Sequence, residues 1–277
     1  MRNIISYFPK EELKQASELF GKKKNITVSG AGNSSSKAML LSDVLRCHGK
    51  DVKNVLWINS DSEEVNVLKK SISIWSDWNV YTYKKRADEE IISFPTGREF
   101  ERTKRIELVE FVSRFYFEEN AVFLLDFSSI FQEFPDLKTL DYDSAVVEKG
   151  KDLDVVAFIS KLVNIGYEAT EDQENLKKGE YFRIGDSIIV YPVNCEKPVR
   201  IDLDFEKVEQ IKSIDIDPEK PGIGNIVGEI EGDLKIFPID YDEEVESIFE
   251  VIEGNTLLVD NEVDVIDDYY TSWNSFM

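Results

Sequence analysis

Between Glu180 and Asp217 the sequence runs through four short strand-like segments, EYFRI, SIIVYP, VRIDLDF and VEQIKSIDID, with no helix between any two of them. Two parallel strands need a crossover of about a dozen residues or more, usually helical, so segments this close together pair antiparallel. This spacing predicts an antiparallel meander in a small α+β domain. A strand over 144–150 and a helix over 154–165, closed by Gly166, lead into it. The first half reads differently. Strand-like runs at 25–28, 52–61, 78–83 and 121–127 alternate with helical patterns at 10–21, 37–45, 62–74 and 99–116. That alternation predicts a doubly wound, parallel α/β sheet. After the meander a strand pair, VGEI with LKIFPI, and a helix over 243–249 are expected. NTLLVD at 255–260 then has the apolar character of a buried strand, and the chain is expected to return there to the first sheet. The expected organisation is an α/β domain over 1–140, an inserted small domain over 141–217, and a return segment over 218–277.

The first strand of the α/β half opens into VSGAGNSSSKAMLL, a glycine-rich turn before a helix. A working phosphate loop of this kind ends in Gly-Lys-Ser/Thr, whose backbone amides and lysine hold phosphates and whose hydroxyl holds magnesium. Here Gly30 takes the role of the leading glycine and Lys37 could be the lysine, but Ser36 stands for the glycine before it and Ala38 for the hydroxyl. The acid that would help in hydrolysis is reduced to a single Asp126 before Phe127. The turn also lacks the third glycine of a dinucleotide site, with Ser35 in its place, although Asp61 ends the next strand. The turn is expected to join a strand to a helix without binding a nucleotide, so no cofactor and no catalytic residues are expected.

Charge divides the chain as sharply as the strand pattern. Of the net charge of −22, residues 1–140 contribute nothing, with 21 basic and 21 acidic side chains, whereas residues 141–277 hold 12 and 34. So acidic a half repels a phosphate backbone and suits a basic partner, or simply a solvated surface. Two distant cysteines and one histidine, His48, leave no set of ligands for a metal and suit a reducing compartment. No run of 18 apolar residues suggests a membrane span, and a cytoplasmic location is expected.

The segment 158–217 carries an ordered series of short motifs. Leu162 is followed by Gly166 and Tyr167, then by Gly179, Glu180 and Tyr181. Tyr191 and Pro192 come next, then Pro198, Arg200, Ile201 and Asp202, then Ile211, Ile214 and Asp215. This series resembles the UvrA-binding domain shared by UvrB and the transcription-repair coupling factors (Mfd). GNTLLVDNEVDVIDDYYTSW and the glycine turn also resemble parts of the UvrB-like region of those factors, the turn being the relic of their nucleotide loop. The resemblance implies a degenerate RecA-like domain over 1–140 carrying a UvrA-binding domain. It implies a non-catalytic module that recruits UvrA to stalled RNA polymerase in nucleotide excision repair. RNA polymerase and DNA would be reached only through further domains of a longer parent, an ATP-dependent DNA translocase; the chain is read as a fragment of one or as a free-standing relative.

The resemblance places UvrA contacts on Arg200 and Asp202, two apart and hence on one face of a strand. It departs at two positions. The arginine expected before the glycine of the first hairpin is Ile184, with Arg183 one residue early and therefore on the other face unless a bulge corrects it. The aromatic expected four residues after Arg200 is Asp204, with Phe205 beside it. Arg183 and Phe205 are the substitutes on offer. Arg200 could equally serve only to neutralise Asp202, Asp204 or Glu206. The two departures keep an alternative open: a scaffold or autoregulatory acidic module whose UvrA-binding surface has decayed.

Overall fold

The computed structural model describes residues 32–48, 52–59, 62–85, 92–130, 132–216, 225–242, 244–245, 247–251 and 256–260. The expected helix over 10–21, the strand over 25–28, Gly30 and Asp61 lie outside them. The chain divides into two compact units. One takes its residues from Met1–Lys85, Phe117–Gln132 and Ser247–Met277, the other from Arg86–Tyr116 and Glu133–Glu246.

The first unit holds helix α1 (Ser34–His48), strand β1 (Asn54–Asn59), α2 (Ser62–Trp75), β2 (Asn79–Tyr83), β3 (Ala121–Asp126), the short α4 (Phe127–Ile130), the short α7 (Ile248–Val251) and β14 (Thr256–Asp260). The four strands form one parallel sheet in the order β14-β1-β3-β2. This is the expected doubly wound sheet, and the return strand pairs with β1 from Asn54 opposite Thr256 to Ile58 opposite Asp260. Every residue of β1 and β3 is buried, so both faces of the central pair are covered, and their sequences are continuous apolar runs for that reason. Val55 and Trp57 of β1 and Val122 and Leu124 of β3 share a core with Ala38, Leu41 and Leu45 of α1 and with Val65, Leu68 and Ile72 of α2. Each Val, Leu or Ile among them contributes about 1.5–3 kcal/mol on burial.

The second unit holds α3 (Gly97–Phe117) up to Tyr116, β4 (Phe134–Pro135), α5 (Leu137–Asp143), β5 (Ala145–Val147), α6 (Val155–Asn164), β6 (Glu168–Ala169), β7 (Glu180–Ile184), β8 (Ser187–Val190), β9 (Val199–Asp204), β10 (Lys207–Asp215), β11 (Asn225–Glu229), β12 (Leu234–Ile236) and β13 (Glu244–Val245). Strands β7 to β11 make the antiparallel meander, and the two-residue β6 joins its edge in parallel, giving the order β11-β10-β9-β8-β7-β6. Asp154 caps α6 by accepting from the amides of Val156 and Ala157, both at 3.0 Å. At its other end the Gly166 amide donates to Val163 and the Tyr167 amide to Leu162, the paired bonds of a Schellman motif with Gly166 at φ 95.

Two expectations fail after the meander. VGEI pairs with β10 rather than with LKIFPI, and Leu234–Ile236 pairs instead with Ala145–Val147. Within 243–249, Glu244 and Val245 form a strand against Phe134 and Pro135, and the helix starts only at Ile248. In both places a distant partner strand overrides a local preference. Compactness also groups α3 with the second unit, whereas the sequence reading kept it within 1–140.

Within that unit the motif glycines meet α3. Arg102 donates from its two terminal nitrogens to the carbonyls of Gly166 and Gly179, the second at 2.9 Å. A β-carbon on Gly179, at φ 84, would stand 2.6 Å from the Ile239 methyl and 2.8 Å from the Arg102 guanidinium. Tyr167, fully buried, donates its hydroxyl to the Phe237 carbonyl and accepts from the Val193 amide, both at 3.1 Å. Gly166, Tyr167 and Gly179 of the motif series therefore build the unit itself. Tyr181 is likewise buried.

Candidate partner-binding site

Two hairpins meet at one end of the six-stranded sheet. β7 turns into β8 through Gly185 and Asp186, and β9 into β10 through Phe205 and Glu206. The Leu203 amide donates to the Asp186 carbonyl at 3.0 Å, which sets the two turns side by side. The Leu153 amide, just before α6, donates to Glu206 at 2.6 Å and brings the first turn of that helix to the same end. Three apolar side chains stand exposed there: Val156, Ile184 and Phe205, the last at 92% exposure. Phe205 has φ 57. A β-carbon at that angle crowds the following carbonyl at a cost of roughly 1–2 kcal/mol. The strained turn thus presents an aromatic ring to solvent.

Cross-strand partners point to the same face of a sheet, so the register decides which predicted residues act together. Ile184 lies opposite Ser187, Ser187 opposite Asp202, and Asp202 opposite Gln210. The next row on this face runs Phe182, Ile189, Arg200 and Lys212. Arg183 belongs to the other face, in the row of Ile188, Ile201 and Ile211. The pairing of β7 with β8 runs without a shift, so no bulge brings Arg183 round. Its Nε donates to the Gly185 carbonyl at 3.1 Å. The structure therefore unites Arg200 with Asp202, places Phe205 on the neighbouring turn, and separates Arg183 from them.

Asp202 is the hub of its face. Its Oδ1 accepts from Ser187 Oγ and from Arg200 Nε, both at 2.6 Å, and its Oδ2 accepts from Lys212 Nζ at 3.0 Å. A terminal nitrogen of Arg200 also donates to Ser187 Oγ at 3.1 Å. The three charged side chains are only 15–25% exposed. Burial alone would raise the Asp202 carboxyl, but the bonds from Ser187, Arg200 and Lys212 outweigh it and hold the group below its ordinary value. Of the three acids offered for neutralising Arg200 (Asp202, Asp204 and Glu206), the structure pairs it with Asp202, whereas Ser187 and Lys212 were not anticipated. On the same face Leu176, Phe182, Ile189 and Ile214 form a small apolar cluster.

The described end of the glycine turn, from Gly32 on, is held by its own side chains. Asn33 Oδ1 accepts from the Ser36 amide at 3.1 Å and from Ser36 Oγ at 3.2 Å, capping α1. Lys37 Nζ lies 4.0 Å from the Glu64 carboxylate, which also accepts from Ser34 Oγ at 3.4 Å. Glu64 thus places a negative charge beside the lysine that a phosphate would need. Asp126 is buried and accepts from the Ser129 amide at 2.9 Å and from the hydroxyls of Ser128 and Ser129, so it caps α4. Among the described residues no helix is long and apolar enough to cross a membrane.

The face bearing Arg200 and Asp202 lies within a recognised family segment. Residues 146–224 match the family model of the UvrB interaction domain. The chain around this domain is similar to transcription-repair-coupling factors. The one from Borreliella burgdorferi is 29% identical over 106 residues, covering 38% of the chain and 9% of that relative. The one from Staphylococcus epidermidis is 24% identical over 223 residues, covering 79% of the chain and 18% of the relative. The one from Bacillus subtilis is 25% identical over 116 residues, covering 42% and 10%. The chain therefore resembles the UvrB-like region of a transcription-repair coupling factor, and it spans less than a fifth of the length of these relatives. The UvrB interaction domain match ends just before β11, so it takes in both hairpins and the whole Asp202 cluster.

Proposed function

We propose that the second unit is a non-catalytic docking module that binds UvrA and, in a coupling factor, recruits it to stalled RNA polymerase during nucleotide excision repair. The observation that carries this reading is the match to the UvrB interaction domain over the sheet that presents Arg200 and Phe205. Arginine and aromatic side chains are the usual anchors of an interface. Arg200 supplies a fixed cation, Asp202 lies beside it, and Phe205 supplies the aromatic contact in place of residue 204. Arg183 is too far round the sheet to join Arg200 and serves at most the rim of the first hairpin. The acidic surroundings steer the encounter toward a partner with a basic rim. The test is binding of the purified chain to UvrA by titration calorimetry. Binding is expected, and Arg200→Glu should weaken it about a hundredfold; no binding, or no effect of this substitution, would overturn the reading.

Ile184 at the expected arginine position favours a second reading, an acidic scaffold or autoregulatory surface that docks on a basic protein instead. It predicts association that weakens steeply with salt and is indifferent to Phe205.

A further inference from the structure

We propose that Asp202 is a positioning residue rather than a partner contact, and that with Ser187 and Lys212 it holds the Arg200 guanidinium in the orientation that docking requires. This inference rests on the UvrA-docking reading. The carboxylate offers about four acceptor sites, and three donors from the chain itself occupy three of them. The bonds also close a ring. Arg200 Nε and Ser187 Oγ share one carboxylate oxygen, and the arginine's terminal nitrogen returns to that same hydroxyl. Lys212 secures the other oxygen. Pulling a carboxylate out of so closed and half-buried a set, to offer it to another protein, strands two cations without their counter-charge.

The composition of the cluster points the same way. Two cations surround one anion, in the half of the chain that holds 34 acidic and 12 basic side chains. The cluster is a local excess of positive charge built into a negative surface, and its aspartate is the element that lets two cations sit side by side. Fixing the guanidinium before the encounter removes the cost of ordering it on binding. The carboxylate acts through the arginine.

The experiment is a double-substitution cycle on the intact chain, with UvrA as the titrant and thermal melting to confirm that each variant is folded. Arg200→Ala and Asp202→Asn are each expected to weaken binding about tenfold, with the double variant no weaker than Arg200→Ala alone. Losses that multiply in the double variant would overturn the inference, because Asp202 would then have a contact of its own. An unchanged affinity in Asp202→Asn, beside a weakened Arg200→Ala, would overturn it as well. If Arg200→Ala is itself without effect, the docking reading falls, and the positioning role with it. Two conservative pairs add a readout that packing alone would not move. Ser187→Ala and Lys212→Met should each weaken binding about threefold, whereas Ser187→Thr and Lys212→Arg should restore it; conservative variants as weak as the truncations would overturn the inference.

Discussion

The two hairpins of the second unit share a backbone and differ in what they do with it. Each has a two-residue loop whose first residue sits at φ 57, but that residue is Gly185 in one and Phe205 in the other. Glycine has no β-carbon, so the first turn carries no strain from this angle. Phenylalanine at the same angle does, and the ring it carries is 92% exposed, so burial returns nothing. Strained residues persist where the surrounding structure holds them, and they cluster at functional sites. The difference singles out the second hairpin as the one whose side chain is to be tested for a role in binding. Gly179 adds a third case, a glycine hemmed in by Ile239 and Arg102, where Gly185 has nothing within 4 Å of its would-be β-carbon.

Substitutions sharpen this ranking. Gly179→Ala combines an unfavourable φ with a close approach and should destabilise the unit most, by about 3 kcal/mol, as read by denaturant unfolding. Phe205→Gly should separate stability from binding. It is expected to raise stability by about 1 kcal/mol through relief of the turn, while weakening UvrA about tenfold; a loss of both would mean that the ring supports the fold. Gly185→Ala meets open space and should cost only about 1 kcal/mol, with UvrA affinity unchanged. The smallest effect concerns pH. Asp202 is held below its ordinary value, so its contribution is complete above the unfolded value near 4, about 3.9 for an aspartate, and is lost as pH falls through the folded value. Acid unfolding followed by circular dichroism should therefore begin at lower stability in Asp202→Asn and show a flatter acid limb than the parent chain.

The site was only partly legible in the sequence. Arg200 and Asp202 fall two apart on one strand, and their shared face follows from the pleat alone. Lys212 could not be found in this way. Counting back from the two-residue loop at Phe205 and Glu206 puts Arg200 opposite Ile211 and Asp202 opposite Glu209. The register instead shifts between Val208 and Gln210, so Arg200 faces Lys212 and Asp202 faces Gln210. One extra residue replaces a clash of two acids with a cation beside the carboxylate. Ser187 was hidden for a related reason, since its place opposite Asp202 depends on how β8 meets β9 across the connection from 191 to 198. The helix expected over 243–249 failed on the same ground, because β4 lies more than 100 residues away in the chain.

By itself the sequence determined the kinds of element and their pairing sense in the parallel sheet and in the meander. The continuous apolar runs of β1 and β3 require a sheet buried on both faces, and the closely spaced strands β7 to β10 pair antiparallel; both are local consequences of spacing and burial. Only the tertiary structure decided which side chains meet. A bulge at Glu209 chose the partners of Asp202, a positive φ turned Phe205 outward, and Arg102 closed on Gly166 and Gly179 from more than 60 residues away. The reason is physical: side-chain direction repeats every two residues, so an offset of one residue between distant strands reassigns every contact, and no local pattern records that offset.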